Sequence, residues 1–315
     1  MKAVYMGTPE IAAVILKDLL KEDNMEVAAV VTQPDRPKGR GGNITFSEVK
    51  EVALEHNIEV YQPAKIKNDE ETIRRLKEIN PDVIIVVAFG QILTESVLNI
   101  PKYGCINVHA SLLPKYRGSA PIQWTIINGE EKTGVTIMYM DKGIDTGDMI
   151  LKEEVPIAPD ETGGSLHDKL AKAGSHALIK ALRQLEAGTA ERIPQNDDES
   201  NYVGMLTKSL GHIDFSEAAV KIERLIRGLN PWPSAYTYLG GKTLKLWRAS
   251  VYNMAGIPDC DTAPGTVIFA DKFNIYVKTG EGCLKIEELQ LEGKKRMSCE
   301  EFLRGFSIEK GTVLG

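Results

Sequence analysis

An amide and an imidazole stand two residues apart in a short apolar segment of the sequence, at Asn107 and His109. Side chains alternate between the two faces of a β-strand, so both groups would point to the same side. Together they can hold one carbonyl oxygen while it becomes an oxyanion in a tetrahedral intermediate. The alternative is a hydrogen-bonded structural pair at the end of a strand, and these two residues alone do not decide between the two interpretations.

A second cluster of residues that could take part in a reaction is the acidic loop 141–148, whose sequence is DKGIDTGD. A calcium loop of the EF-hand type is excluded, because its third and twelfth positions would be Gly143 and Lys152. Glycines let a loop pass close to a ligand, and one aspartate can then project toward it, orient an imidazole or accept a proton. A plain acidic turn is the alternative.

Several other types of chemistry are disfavoured by the sequence. No serine or cysteine lies in a nucleophile elbow, and neither a complete dinucleotide-binding fingerprint nor a Walker A motif occurs. The spacing of the cysteines suggests no disulfide framework and no zinc site, and no other metal-ligand spacing is present. The four are Cys105, Cys260, Cys283 and Cys299. We therefore expect a group to be transferred to an external nucleophile, without a metal and without a covalent enzyme intermediate.

The elements that must position these residues alternate between strands and helices in the first half of the chain. Apolar runs predict strands at 4–6, 27–31, 83–89, 105–109 and 135–140, and helical periodicity predicts helices at 11–20, 47–56, 70–79 and 163–188. This order predicts an α/β fold with a doubly wound, mainly parallel, Rossmann-like sheet. Ligands of such sheets bind beyond the carboxyl ends of the strands, so we expect the chemistry after Phe89, at His109 and after Met140.

The second half of the chain has a different pattern. Residues 190–205 are polar and irregular, which predicts a linker between a first domain at 1–189 and a second domain at 206–315. Short strands punctuated by glycines predict that the second domain is a small β-barrel. The sequence has no secretory signal pattern and no apolar run of about 18 residues, so we expect a cytoplasmic protein with no membrane contact.

The distribution of charge bears on the class of partner. The net charge of −6 speaks against nucleic acid when the whole chain is counted. However, residues 206–315 contain 15 basic and 13 acidic residues, so the acidity lies in the first domain. That domain also contains a glycine-rich and proline-rich segment with three cations, the basic loop 33–42. It is either a solvated surface loop or an arm that contacts phosphates.

The motifs that could carry chemistry resemble those of the formyltransferase family, which uses 10-formyltetrahydrofolate as formyl donor. The resemblance rests on the Asn107-x-His109 pair, on the segment SLLP at 111–114 and on Asp145 in its acidic loop, and it extends over essentially the whole chain. It implies that Asn107 and His109 stabilise an oxyanion, with Asp145 keeping the imidazole charged and helping to move a proton. It also implies a folate site bordered by Ser111, Leu112, Leu113 and Pro114.

Other segments indicate the acceptor of the formyl group. The segments GTPE at 7–10, APIQ at 120–123 and NPWP at 230–233, with the basic loop, are similar to family members that formylate methionyl initiator tRNA for translation initiation. The resemblance implies an OB-like second domain that binds tRNA, and a monomer is the simplest expectation. The basic loop would contact the tRNA through Arg36, Lys38 and Arg40.

Two alternatives remain open at the level of the sequence. One is a formyltransferase of the same chemistry that acts on a small-molecule amine, such as an amino sugar nucleotide. The other is a non-catalytic tRNA-binding module of the same fold. The presence of Asn107, His109 and Asp145 together argues against the second alternative, because a module without catalysis has no physical need for all three.

Overall fold

The structure, a computed structural model, describes residues 1–38, 43–252 and 262–315, without the side chains of residues 37, 38 and 43. Arg40, Cys260 and the side chain of Lys38 therefore lie outside the described residues. The described chain forms two compact units. The first comprises 1–121, 132–156 and 167–203, and the second comprises 122–131, 157–166 and 204–315. The expected domain boundaries at 189 and 206 stay a prediction.

The described residues contain strands and helices in both units. In chain order they are β1 (Lys2–Gly7), α1 (Glu10–Leu19), β2 (Glu26–Val31), β3 (Arg36–Lys38), β4 (Asn43–Thr45), α2 (Glu48–Glu55), β5 (Glu59–Tyr61), α3 (Glu70–Ile79), β6 (Val83–Val87), α4 (Glu95–Leu98), β7 (Cys105–His109), β8 (Arg117–Gly118), α5 (Pro121–Ile127), β9 (Lys132–Tyr139), β10 (Met149–Pro156), α6 (Gly163–Ala187), β11 (Tyr202–Val203), α7 (Ala219–Gly228), β12 (Ala235–Leu239), β13 (Lys242–Tyr252), β14 (Val267–Ala270), β15 (Ile275–Lys278), β16 (Cys283–Leu291), β17 (Met297–Ser298) and α8 (Cys299–Gly305).

Seven strands form the main sheet of the first unit, in the order β10-β9-β7-β6-β1-β2-β5. The five strands β5, β2, β1, β6 and β7 run parallel, whereas β9 and β10 are antiparallel to their neighbours. From β1 the chain proceeds to β2 on one side and later to β6 on the other, so the strand order reverses at this point. The prediction of a doubly wound, mainly parallel sheet is confirmed.

Local sequence explains where these elements begin and how they are buried. All five residues of β6 are buried, as its continuous apolar sequence predicts for a strand covered on both faces. The helix α2 begins after Ser47, whose side chain accepts a hydrogen bond from the amide of Lys50. The helix α3 begins in the same way after Asp69, and Asn80, which follows its last residue, adopts the left-handed conformation that ends the helix.

One expectation about the position of the chemistry is wrong. The segment after Met140 was expected at the carboxyl edge of the sheet, but β9 runs antiparallel to β7. The amide of Met140 donates to the carbonyl of Cys105, so the acidic loop 141–148 leaves the sheet where β7 begins. The loop is a hairpin connection between β9 and β10, and Asp145 reaches Asn107 and His109 only because the loop returns toward β7.

The second unit contains an antiparallel sheet in the order β12-β13-β16-β15-β14, with β17 paired to β16. The prediction that the second half of the chain is built mainly from β-strands is confirmed, but β13 and β16 are not short, at 11 and 9 residues. The expected barrel is not closed by the ladders described in 204–252 and 262–315, because none of them joins β12 to β14. These two edges consist of only five and four residues, which leaves little unpaired backbone.

No helix in the described parts of the chain combines the length and the apolar character that crossing a bilayer requires.

Candidate active site

The strand β7 and the acidic loop bring together the three side chains that the sequence analysis takes as catalytic. The amide nitrogen Nδ2 of Asn107 lies 3.4 Å from Oδ1 of Asp145, and Nδ1 of His109 lies 3.5 Å from Oδ2 of Asp145. Asn107 is half-buried, and the side chains of His109 and Asp145 are 6% and 15% exposed. An amide, an imidazole and a carboxylate thus meet in a place that is largely shielded from water.

The imidazole of His109 has a defined orientation. Its Nε2 lies 2.9 Å from the carbonyl oxygen of Tyr116. A carbonyl oxygen can only accept a hydrogen bond, so Nε2 carries a proton. The nitrogen that faces Asp145 is therefore Nδ1, and this is the ring atom through which His109 can act on the carboxylate or on a bound substrate.

The carboxylate of Asp145 is anchored by the main chain. Asp145 has a φ of 55°, in the left-handed region that aspartate tolerates better than most residues. Its Oδ2 accepts a hydrogen bond of 2.8 Å from the amide of Gly118. Gly118 has a φ of 106°, and a β-carbon there would collide with the carbonyl oxygen of Val203. The donor that anchors the carboxylate is therefore available only because residue 118 is glycine.

Three residues of the site were missed by the sequence analysis. Gln195 and Asn201 lie in the segment expected to be a linker, and Arg117 lies between the two recognised motifs. Gln195 donates to the carbonyl of Asp145, and Asn201 accepts from the amide of Tyr116. One signal was present, since this segment is rich in amides and acids and contains only one glycine and one serine, unlike a flexible linker.

The resemblance assigns the segment 111–114 to the folate site, but two of its four side chains are buried inside the unit. Ser111 is fully buried, and its hydroxyl donates to the carbonyl of Lys115. Leu113 is fully buried in a small cluster with Met138 and Met149. Surface available to a ligand therefore comes from the half-buried Leu112 and Pro114 and from the backbone.

Only part of the basic loop lies among the described residues. Arg36 is exposed and pairs with Thr45 across the two-stranded ladder of β3 and β4. The one acidic residue of the loop, Asp35, contacts Lys50 at 2.5 Å and Gln62 at 2.8 Å. The hydrogen bonds from Lys50 and then from Gln62 hold the pKa of the Asp35 carboxyl below its usual value. The negative charge of the loop is thus compensated within the unit.

The described parts of the chain show how three of the thiols and the metal-binding residue types are arranged. They contain no group of three or more His, Cys, Asp or Glu side chains that could hold a metal ion. Burial raises the pKa of Cys105 and of Cys299 to about 12, and that of Cys283 to about 11. These three thiols therefore remain protonated, and thus poor nucleophiles, at neutral pH.

Comparison with known proteins covers both parts of the chain. The family model described as "Formyl transferase" matches residues 1–182, and the model described as "Formyl transferase, C-terminal domain" matches residues 205–307. The chain is 54% identical to the methionyl-tRNA formyltransferase of Agathobacter rectalis, over 99% of each chain. It is also 54% identical to the methionyl-tRNA formyltransferase of Clostridioides difficile, over 100% of each chain.

A more distant solved structure has the same fold. The N-formyltransferase of Helicobacter canadensis, in complex with folinic acid and dTDP-3-aminofucose, superposes with a TM-score of 0.67 at 20% identity. The superposition covers 94% of this chain and 100% of that chain. At this identity the likeness concerns the fold and carries no information on the acceptor.

The first prediction concerns Thr136 on β9, whose hydroxyl forms two hydrogen bonds with the backbone of the segment 111–114. It donates to the carbonyl of Ser111 at 2.7 Å and accepts from the amide of Leu113 at 3.1 Å. Thr136→Val leaves a buried amide without a partner, and we expect it to lower the free energy of unfolding by about 1–3 kcal/mol. Urea denaturation measures this loss.

Thr133→Val is the matched control on the same strand. Thr133 is also buried, but its hydroxyl has no hydrogen-bond partner within the described structure. Replacing that hydroxyl by a methyl group should leave stability unchanged or raise it. Equal losses in Thr133→Val and Thr136→Val would contradict the assignment.

Proposed function

Because the chain belongs to the formyl transferase family, we propose that it transfers the formyl group of 10-formyltetrahydrofolate to the α-amino group of methionyl initiator tRNA. The observation that carries the proposal is the meeting of Asn107, His109 and Asp145 in one buried place. Relatives that are 54% identical over their full length are methionyl-tRNA formyltransferases, which supports this acceptor over an amino sugar nucleotide.

The three side chains have complementary tasks in this reaction. The bond between the formyl carbon and N10 of the folate breaks, and a new bond joins that carbon to the amino nitrogen of methionine. Asn107 donates its amide N–H to the formyl oxygen as negative charge develops there. His109, whose Nδ1 faces the Asp145 carboxylate, helps Asn107 to stabilise this charge. Asp145 accepts a proton from the attacking amine, directly or through water, and the proton passes to N10 as tetrahydrofolate leaves.

The residues present fit a formyl donor of this kind. The donor set consists of an amide, an imidazole and one anchored carboxylate, which suits acyl transfer. We assign the folate to the surface beside Leu112 and Pro114, because Ser111 and Leu113 are already packed inside the unit. The pterin ring is flat and amide-like, so exposed backbone groups of this segment are suitable partners.

The tRNA is assigned to the basic loop and to the second unit. Arg36, Lys38 and Arg40 supply positive charge, and the compensation of Asp35 by Lys50 removes the opposing charge of the loop. Few phosphate contacts are expected from a chain with a net charge of −6. Since tRNA is aminoacylated and used in the cytoplasm, we also propose a cytoplasmic location. A monomer is the simplest assembly.

One assay tests the acceptor directly. The purified chain and 10-formyltetrahydrofolate are incubated with methionyl initiator tRNA, methionyl elongator tRNA or an amino sugar nucleotide, and the formylated product is quantified. We expect the highest kcat/KM with the initiator tRNA. Faster formylation of the sugar nucleotide, or none of any acceptor, would refute the proposed function.

Removal of single catalytic groups gives the second prediction. We expect Asn107→Ala, which loses a donor to the developing charge, and Asp145→Ala, which loses the proton acceptor, each to lower kcat by roughly 10²–10³-fold. Thermal unfolding should show that both variants remain folded. The exposed residues Asn99 and Asp160 provide matched controls, and their alanine variants should retain full turnover. Near-normal kcat in Asn107→Ala or Asp145→Ala contradicts the assignment.

The third prediction concerns the basic loop. Arg40→Ala should weaken the affinity for tRNA and reduce the slope of log affinity against log salt by about 1, because one phosphate contact is lost. Folate affinity, measured by calorimetry, should be unchanged. Arg75→Ala is the control, since Arg75 is exposed on α3 and pairs with Glu71. A loss of folate affinity in Arg40→Ala would instead assign the loop to the folate site.

A further inference from the structure

The side chain of Gln195 lies between the acidic loop and Arg117. Its Nε2 donates to two carbonyl oxygens of the loop, that of Asp145 at 2.9 Å and that of Gly147 at 2.8 Å. Its Oε1 accepts from Nε and Nη2 of Arg117, at 3.0 and 2.9 Å. All of the polar atoms of this amide are therefore engaged, and all of these partners lie in the first unit.

The orientation of the Gln195 amide follows from the chemistry of its partners. The guanidinium of Arg117 can only donate hydrogen bonds, so the oxygen of the amide must face it. The two loop carbonyls can only accept, so the amide nitrogen must face them. Each end of the amide is thus specified by a different partner, and turning it around would lose every one of these hydrogen bonds.

Arg117 is well suited to hold the amide in place. Its side chain is only 3% exposed, and Nη2 also lies 2.8 Å from Oδ1 of Asp197, whose side chain is 82% exposed. A buried guanidinium that donates to two side chains is costly to move, because each displaced N–H would lack a partner. Arg117 thereby restricts the movement of Gln195, and Gln195 in turn restricts the movement of the acidic loop through its two hydrogen bonds.

The loop needs support of this kind. The distances from Asp145 to Asn107 and His109 are 3.4 and 3.5 Å, which are too long for strong hydrogen bonds. Asp145 also has a φ of 55°, a conformation that persists only where its surroundings hold it. The short contacts to the residue are the Gly118 amide on the carboxylate and Gln195 on the carbonyl.

We propose that Gln195 is a positioning residue for the reaction, which holds the Asp145 carboxylate in its reactive orientation through the backbone of the acidic loop. Arg117 orients Gln195, and neither residue touches the substrate. The proposal rests on the proposed function, because it assigns to Asp145 a role in catalysis. A purely structural role would instead stabilise the hairpin without affecting the chemical step.

The kinetic test uses two variants of the full chain. Gln195→Met preserves the length of the side chain but removes both polar ends, and Gln195→Glu keeps an acceptor for Arg117 but loses the donors to the loop. We expect kcat to fall about 100-fold in both, the cost of misplacing a reacting group by about 1 Å. KM for both substrates should remain within twofold. Asp198→Ala, an exposed neighbour, is the control and should behave as wild type.

A double-mutant cycle separates positioning from structural loss. In an Asp145→Ala background, Gln195→Met should cause no further decrease in kcat, because the group that it positions is absent. Independent, multiplicative effects would overturn the proposal, as would an unchanged kcat in a folded Gln195→Met or Gln195→Glu variant.

A measurement without turnover keeps the test independent of the acceptor. The amide of Gly118 is protected by its hydrogen bond to Asp145, so its hydrogen exchange reports the position of the carboxylate. Exchange at Gly118 should accelerate at least tenfold in Gln195→Met and remain unchanged in Asp198→Ala. Wild-type protection in Gln195→Met would overturn the inference. Failure of the wild-type chain to formylate methionyl-tRNA would instead refute the proposed function, and the exchange result would still decide the role of Gln195 in holding the carboxylate.

Discussion

The arrangement of the site depends on the hydrogen bond from the Gly118 amide to the Asp145 carboxylate. The two residues are 27 positions apart and belong to different elements, so this bond joins the acidic loop to the segment that follows β7. A hydrogen bond from the backbone to a charged acceptor is among the stronger ones in proteins. Its donor requires glycine, because the carbonyl of Val203 occupies the space of a β-carbon. The pairing of β8 with β11 thereby contributes to the position of a carboxylate that neither strand contains.

The direction of β9 gives the site its location. In a fully parallel sheet, the segment after β9 would have emerged at the same edge as the end of β7. Because β9 is antiparallel, the acidic loop starts at the opposite edge and returns toward the side chains of Asn107 and His109. The strand β7 supplies two groups by simple alternation, and the loop supplies the third. A loop that starts at the opposite edge needs contacts that hold it near β7, and the hydrogen bonds of Gln195 and Gly118 to Asp145 are such contacts.

The features that could be predicted from the sequence were mostly those set by neighbouring residues or by a repeating pattern of apolar residues. The alternation of a strand put Asn107 and His109 on one face, and helical periodicity at 47–56 located α2 correctly. The direction of β9 could not be predicted, because an apolar run indicates a strand but not its orientation. Gln195 was missed for a related reason, since its partners lie 48 to 78 positions away and a polar stretch looks the same whether it is solvated or engaged.

The separation of these partners in the chain has a consequence for biosynthesis. Tyr116 meets Asn201 across 85 positions, and Arg117 meets Asp197 across 80. During translation, a nascent chain that ends before residue 195 already contains Asn107, His109 and Asp145, but not the segment that holds them in place. The order of synthesis therefore delays completion of the site until residues 195–203 have left the ribosome. The three reactive side chains are therefore not sufficient in a growing chain, because the contacts that complete their site are synthesised later.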